Sequence, residues 1–285
     1  MADLRSILSD PQFPALVERL EASAWLGATE VKGPGRELAS QVIDGAILII
    51  DRSEDAPLSR AFNLGIERPL SLDTLERIIE AYATAGITSF STHLLPIARP
   101  THAPRLLEQA GFSRGAQQAA VVRPVGGVDP ADAYFRIREA TPSDVEVIQD
   151  LMSRTTADPG DWARTFSTVV TNGNYRVHLA FEGSTAYAMG GFFYSGETAL
   201  LFTQSWVVAG YETHGVQGAL IQTALRDAES LGCRWVVCLY PVTAETRTRH
   251  FQRMGFEVMY QRRLYFYGPL LNHGPPDPLN RGVRA

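Results

Sequence analysis

The run Val207-Val208-Ala209-Gly210-Tyr211-Glu212-Thr213-His214-Gly215-Val216-Gln217-Gly218-Ala219-Leu220 decides how this chain is read. A β-branched pair closes a strand, a short polar turn with glycines follows, and an apolar stripe begins. Val216, Leu220, Ala224 and Ala228 stand four apart, with Ile221 and Leu225 beside them, the spacing of a helix laid on a sheet. The first amides of such a helix have no intrahelical acceptor, and its dipole is positive at that end. Gly215 and Gly218 let an anion approach the backbone. The loop is a candidate phosphate cradle, although a plain strand-to-helix turn shows the same residue types.

Working outward, Tyr175–Glu182, Ala186–Tyr194 and Thr198–Ala209 read as a meander, with turns at Glu182-Gly183-Ser184 and Ser195-Gly196-Glu197. Before it, Phe135–Arg138 is a short strand. Thr141 then offers an N-cap, Pro142 a first helical position and Asp144 a first-turn acid. After the loop come a helix to Leu231, Gly232, a strand Arg234–Tyr240, Pro241, a helix Ala244–Met254 and Gly255-Phe256.

The first half carries the same order. A helix Leu72–Ala85 meets Gly86, a strand Ile87–Leu95 meets Pro96, and a helix Ala103–Ala110 meets Gly111-Phe112. Glycine to proline is ten residues there and nine in the second half; proline to Gly-Phe is fifteen and fourteen. One architecture used twice is the reading. Between the halves, Pro124-Val125-Gly126-Gly127-Val128-Asp129-Pro130 has linker chemistry. The expected units are residues 1–125, 131–268 and an extended tail 269–285.

With 285 residues, 45% hydrophobic and 20% charged, two ordinary globular units fit. A net charge of -5 argues against a nucleic-acid backbone binder. No apolar run approaches the length of a membrane span, and Met-Ala-Asp-Leu-Arg-Ser does not begin a signal peptide. Cys233 and Cys238, five apart across a strand pattern, are expected on opposite faces as free thiols. Two cysteines alone make no zinc site. The expected location is the cytoplasm, with no metal, no nucleic acid and no membrane partner; an oligomer is compatible with the sequence.

Residues 134–267 resemble the GNAT (general N-acetyltransferase) superfamily. Its central motif is a strand ending Val-x-Pro, then Arg or Gln-x-x-Gly-x-Gly or Ala, a long helix and, later, Tyr-x-x-x-Gly-Phe. Val207, Gly215 and Gly255-Phe256 stand where that pattern puts them. The first half looks like a degenerate copy, because Arg68-Pro69-Leu70-Ser71-Leu72 supplies no glycine-rich turn. The resemblance implies an α/β (α+β) fold of two GNAT-like units, each a mixed, mostly antiparallel sheet flanked by helices.

It also implies acetyl-CoA, or another acyl-CoA, as cosubstrate and direct transfer to a small-molecule amine acceptor. Backbone at Val207 or Val208 would pair with the pantetheine arm and polarise the thioester carbonyl. Amides of Thr213, His214, Gly215, Val216, Gln217, Gly218 and Ala219 would hold the pyrophosphate. Departures are plain: Glu212 replaces the motif's Arg or Gln, Gln217 its last glycine, Phe251 its proton-donating Tyr, and Ala244 an Asn. His250, Ser205 and Tyr240 are the candidates left for handling protons or orienting water. An acyl carrier protein donor, or a non-catalytic acyl-CoA-binding module, is the alternative.

Overall fold

The computed structural model describes residues 4–29, 38–52, 59–127, 135–155, 169–211, 215–242 and 245–269, leaving aside the side chains of 28, 29, 38, 203–205 and 245–247. Helices α1 (Leu4–Ser9) and α2 (Phe13–Thr29) lead into β1 (Leu38–Ile43), β2 (Ala46–Asp51) and β3 (Arg60–Phe62). Then follow α3 (Leu72–Thr84), β4 (Phe90–Leu94), α4 (Ala103–Gln109) and β5 (Ser113–Pro124). The second half has β6 (Arg136–Glu139), a 3-10 turn Pro142–Asp144, α5 (Val145–Thr155), β7 (Tyr175–Glu182), β8 (Thr185–Ser195) and β9 (Thr198–Val207). It ends with α6 (Val216–Ser230), β10 (Trp235–Pro241), α7 (Glu245–Arg253) and β11 (Glu257–Tyr267).

The strands form one eleven-stranded sheet in the order β1-β2-β3-β4-β11-β5-β10-β9-β8-β7-β6. Among the described strands only β3–β4 and β9–β10 are parallel, each pair joined through one helix, α3 or α6. The rest is antiparallel, so the expected mixed, mostly antiparallel sheet flanked by helices is what forms. The pattern is symmetric about its centre, where the halves trade their last strands. β5, from the first half, lies between β10 and β11. β11, from the second, lies between β5 and β4.

Side-chain alternation divides the interior. Ile49, Val237 and Leu239 pack with Val17, Trp25, Ile148 and Leu151 of α2 and α5 on one face. Leu48 and Ile50 pack with Leu75, Ile78 and Leu107 of α3 and α4 on the other. Val236, Cys238 and Tyr240 meet Ala224, Leu225 and Phe251 of α6 and α7. Cys233 joins this same cluster, which corrects the opposite-face expectation. It sits in the turn before β10, where strand alternation does not apply. Both cysteines are buried and neither is in a disulfide. No helix among the described residues is long and apolar enough to cross a membrane.

Candidate active site

The register of β9 and β10 starts at Thr198–Trp235 and stops at Leu201–Cys238. β9 runs on to Val207 and β10 to Pro241, so the two strands part and leave a wedge. A bulge explains the parting. Phe202 faces Gly191 and Trp206 faces Met189, so β9 advances by four residues while β8 advances by two. The bulge holds Ser205, whose side chain lies outside the described residues, and Phe202 and Trp206 flank it.

Past the bulge the backbone is re-aimed. The Val208 N–H donates to Tyr187 O at 2.8 Å, making Tyr187–Val208 a hydrogen-bonded pair across to β8. Alternation in an antiparallel ladder then turns the Val207 N–H and C=O away from β8, toward the wedge. Of the two residues expected to meet a thioester, the fold aims Val207 inward and commits Val208 to β8.

The chain leaves β9 through a turn in which the Tyr211 N–H donates to Val208 O at 3.1 Å and Gly210 takes φ 95. The Tyr211 hydroxyl donates to Glu182, and its ring stacks on Tyr187 with centroids 4.4 Å apart. Sequence reasoning passed over Tyr187, Tyr211 and Glu182, whose spacing in the chain gives no sign of the contact. Glu212, Thr213 and His214 lie outside the described residues.

α6 opens at Gly215, whose φ of 80 is left-handed, and no side chain caps it. The first intrahelical bond is Ala219 N–H to Gly215 O at 3.2 Å. Ala219's amide is therefore engaged, while those of Val216, Gln217 and Gly218 precede the ladder. No acid stands in the first turn. Val216, Leu220, Ala224 and Ala228 are buried as their spacing predicts, with Ala219, Ile221 and Leu225. His178 on β7 ties the helix down through Nε2 to Asp227 Oδ2 at 2.6 Å.

The matching helix of the first half begins differently. Ser71 Oγ accepts the Thr74 N–H at 3.1 Å, and Asp73 stands in the first turn. Asp44, from the β1–β2 turn, accepts from Thr74 Oγ1 at 2.9 Å, Arg77 Nη1 at 2.8 Å and Arg68 Nη1 at 3.3 Å. A carboxylate of the chain itself thus stands beside the start of α3, bound to side chains there, whereas among the described residues the first turn of α6 carries no acid.

His250 stands on α7 beside this opening. Its Cε1 is 3.7 Å from where a Cβ on Gly218 would lie. Its Nε2 is buried with no hydrogen-bond partner among the described residues. Burial, then the charge of Arg253, hold its pKa below the ordinary range. A neutral imidazole accepts protons better than it donates them. The Tyr240 hydroxyl donates to Thr248 Oγ1 on α7 at 3.1 Å, and its ring stacks on Phe251. Phe251 is 3% exposed and packed in the helix-side core, so the position expected for a proton-donating Tyr carries no polar atom. A separate groove of about 630 Å³, lined by Ile7, Phe13, Leu16, Leu20, Arg234 and Trp235 among others, lies at the paired end of β9 and β10, away from the wedge.

No family model matches the chain, and no curated protein matches it. Solved structures do. A GCN5-related N-acetyltransferase from Kribbella flavida superposes with TM-score 0.66 at 14% identity, covering 90% of this chain and 97% of its own. A tandem GNAT protein from the clavulanic acid biosynthesis pathway gives TM-score 0.62 at 14% identity over 92% and 97%. A GCN5-related N-acetyltransferase from Sphaerobacter thermophilus gives 0.53 at 16% identity over 86% and 84%. These likenesses run through both halves of the sheet.

Proposed function

Given that the chain has the GCN5-related N-acetyltransferase fold, we propose that it is an acyltransferase that moves an acyl group, in the first instance acetyl, from a coenzyme A thioester to an amine. One observation carries the reading: the wedge between β9 and β10 leads directly to an α6 start that has neither side-chain cap nor first-turn acid, whereas the α3 start is capped by Ser71 and carries Asp73 in its first turn. One coenzyme per chain, in the second half, follows.

The coenzyme supplies an activated acyl carbon; the rest is the protein's work. The amides of Val216, Gln217 and Gly218, with the neighbouring Thr213, His214 and Gly215, hold phosphate oxygens at the positive end of α6. The Val207 N–H and C=O pair with the amide groups of the pantetheine arm as an added strand would. His250 belongs to the phosphate end of the wedge, where its free nitrogen meets the coenzyme. Ser205, at the bulge, orients water or the acceptor. Tyr240 holds α7 against the sheet through Thr248.

Phe251 favours a second reading, a non-catalytic acyl-CoA-binding module, because it removes the hydroxyl that would protonate a leaving thiolate. Thiol release from acetyl-CoA with a panel of amines, run beside calorimetry, separates the two. Turnover with binding of one equivalent supports the acyltransferase. Binding without turnover supports the binding module. No binding of acetyl-CoA overturns both and leaves a carrier-protein donor to be tested.

A further inference from the structure

A cluster of buried charges from both halves lies between α2 and the centre of the sheet. Arg262 of β11 is fully buried and donates to Glu18 Oε2 at 3.0 Å, to both oxygens of Glu21, one at 2.9 Å, and to Gln118 Oε1 at 2.8 and 3.0 Å. Glu18 and Glu21 lie one turn apart on α2 and are fully buried. Glu18 Oε1 also accepts the Asn63 N–H at 3.2 Å. Arg60 of β3 stands 3.8 Å from Glu21 and 4.7 Å from the centre of the Trp25 ring. His93 of β4 and Tyr260 of β11 complete the surroundings, their polar atoms without partners among the described residues.

One turn further along α2, the helix is fastened to the second half. The Tyr175 hydroxyl donates to Ala24 O, and Asn172 Nδ2 donates to Gly27 O at 3.1 Å. Gly27 permits the approach, since a Cβ there would stand 3.2 Å from Asn172 Nδ2. The Tyr175 ring stacks on Phe202, centroids 5.4 Å apart, and Phe202 is the residue at which the β9 bulge begins. A contiguous set of packed groups thus runs from the charge cluster to the wedge.

We propose that Glu18, Glu21 and Arg262 form a proton-responsive joint whose charge state sets the seating of α2 and, through Tyr175 and Phe202, the opening of the β9–β10 wedge. With both acids ionised, two carboxylates face two guanidiniums; with Glu18 protonated, one positive charge is left over. Burial, opposed by the Arg262 charge and reinforced by Glu21, pushes the Glu18 carboxyl up to about 7. Burial, with Arg262 and Arg60 nearby, keeps His93 neutral, so it does not compete for that proton. These are positioning residues, and none touches the proposed coenzyme site.

The inference rests on the acyltransferase reading only for what the wedge does, so its test omits substrate. In the full chain, tryptophan fluorescence is followed from pH 5.5 to 8.5, and amide exchange of a peptide spanning 202–208 is compared at pH 6 and 8 after correction for intrinsic rates. The expected result is a fluorescence transition near neutral pH, absent in Trp25→Phe and in Glu18→Gln. Protection of 202–208 should differ several-fold between the two pH values in the wild type and not in Glu18→Gln. A flat fluorescence titration, or exchange that changes equally in Glu18→Gln, overturns the joint. Should Glu18→Gln fail to fold, Glu21→Gln serves: removing the neighbouring charge should move the midpoint to lower pH, and an unmoved midpoint overturns the proposal. Absence of turnover in the thiol-release assay bears on the acyltransferase reading alone.

Discussion

Gly215 and Ser71 hold corresponding positions in the two halves and prepare opposite sites. Ser71 caps its helix, with Asp44 held beside it by the Thr74 and Arg77 side chains, while Gly215 offers its helix no side-chain cap. Gly218→Asp tests the open end. A Cβ there makes only an ordinary contact, 3.7 Å from His250 Cε1, and an acid in the first turn favours the helix. Thermal stability should be unchanged or slightly raised, while coenzyme A affinity measured by calorimetry falls at least about tenfold through charge repulsion alone. Unchanged affinity would make the loop a turn and no more. Asp44→Asn tests the closed end. Asn tolerates the φ of 50 at this position, so the turn survives while the charge facing Arg68 and Arg77 is lost. Partly exposed pairs of this kind contribute about 1 kcal/mol, so the melting temperature should fall by about 2–4 °C. Coenzyme stoichiometry should stay at one per chain.

Among the elements, α2 behaves as a strap across both halves, and its effect on stability has a definite sign. Glu18 is shifted from 4.5 in the unfolded chain to about 7 in the folded one. Between those values the folded protein holds a proton that the unfolded chain has released. Stability therefore falls as pH rises through that window, by on the order of a few kcal/mol if Glu18 acts alone. Urea unfolding at pH 5 and pH 8 should show the loss, and Glu18→Gln should remove most of it. On β8, Gly191 lets two strands approach: an added Cβ would stand 2.3 Å from Arg176 O, with backbone and not a flexible side-chain end in the way. Gly191→Ala should cost at least about 2 kcal/mol in denaturant melts. The elements that local pattern can specify were readable beforehand. Residues 175–182 of β7 were bounded by their alternation and turn, the helix start at Thr141, Pro142 and Asp144 by its residue types, and α6 by its stripe. Glu18 and Glu21 were not, because two acids on an amphipathic helix ordinarily mark its wet side. The arrival of Arg262, from the far end of the chain, together with Arg60 beside Glu21, makes burial of both acceptable.

At the scale of the molecule, the order helix, strand, helix, strand in each half was legible and the exchange of last strands was not. The alternation along β5 and β11 fixes which side chains face which layer, and it is the same whichever strand lies alongside. The wedge likewise depends on where pairing between β9 and β10 stops, which no single strand encodes. The exchange predicts that the halves are not separable. A fragment ending at residue 127 contains β5 without either neighbour, since both β10 and β11 come from the second half. Expressed alone, it should be aggregated or only partly ordered by circular dichroism. Expressed together with residues 128–285, it should be recovered as a one-to-one complex with a cooperative melt. A stable, monomeric first-half fragment would contradict the topology.

The same exchange has a consequence for biosynthesis. β5 leaves the ribosome before either strand that will flank it has been made, and the first residue of β10 follows roughly 5–20 s later at ordinary translation rates. Through that interval a twelve-residue strand with the uncharged run Ala116–Val122 waits with both edges open. Synthesis of this protein should thus lean on holding factors at a defined stage, between completion of residue 124 and emergence of β11, and a pause or truncation inside that stage should yield aggregate in place of a stable half-molecule.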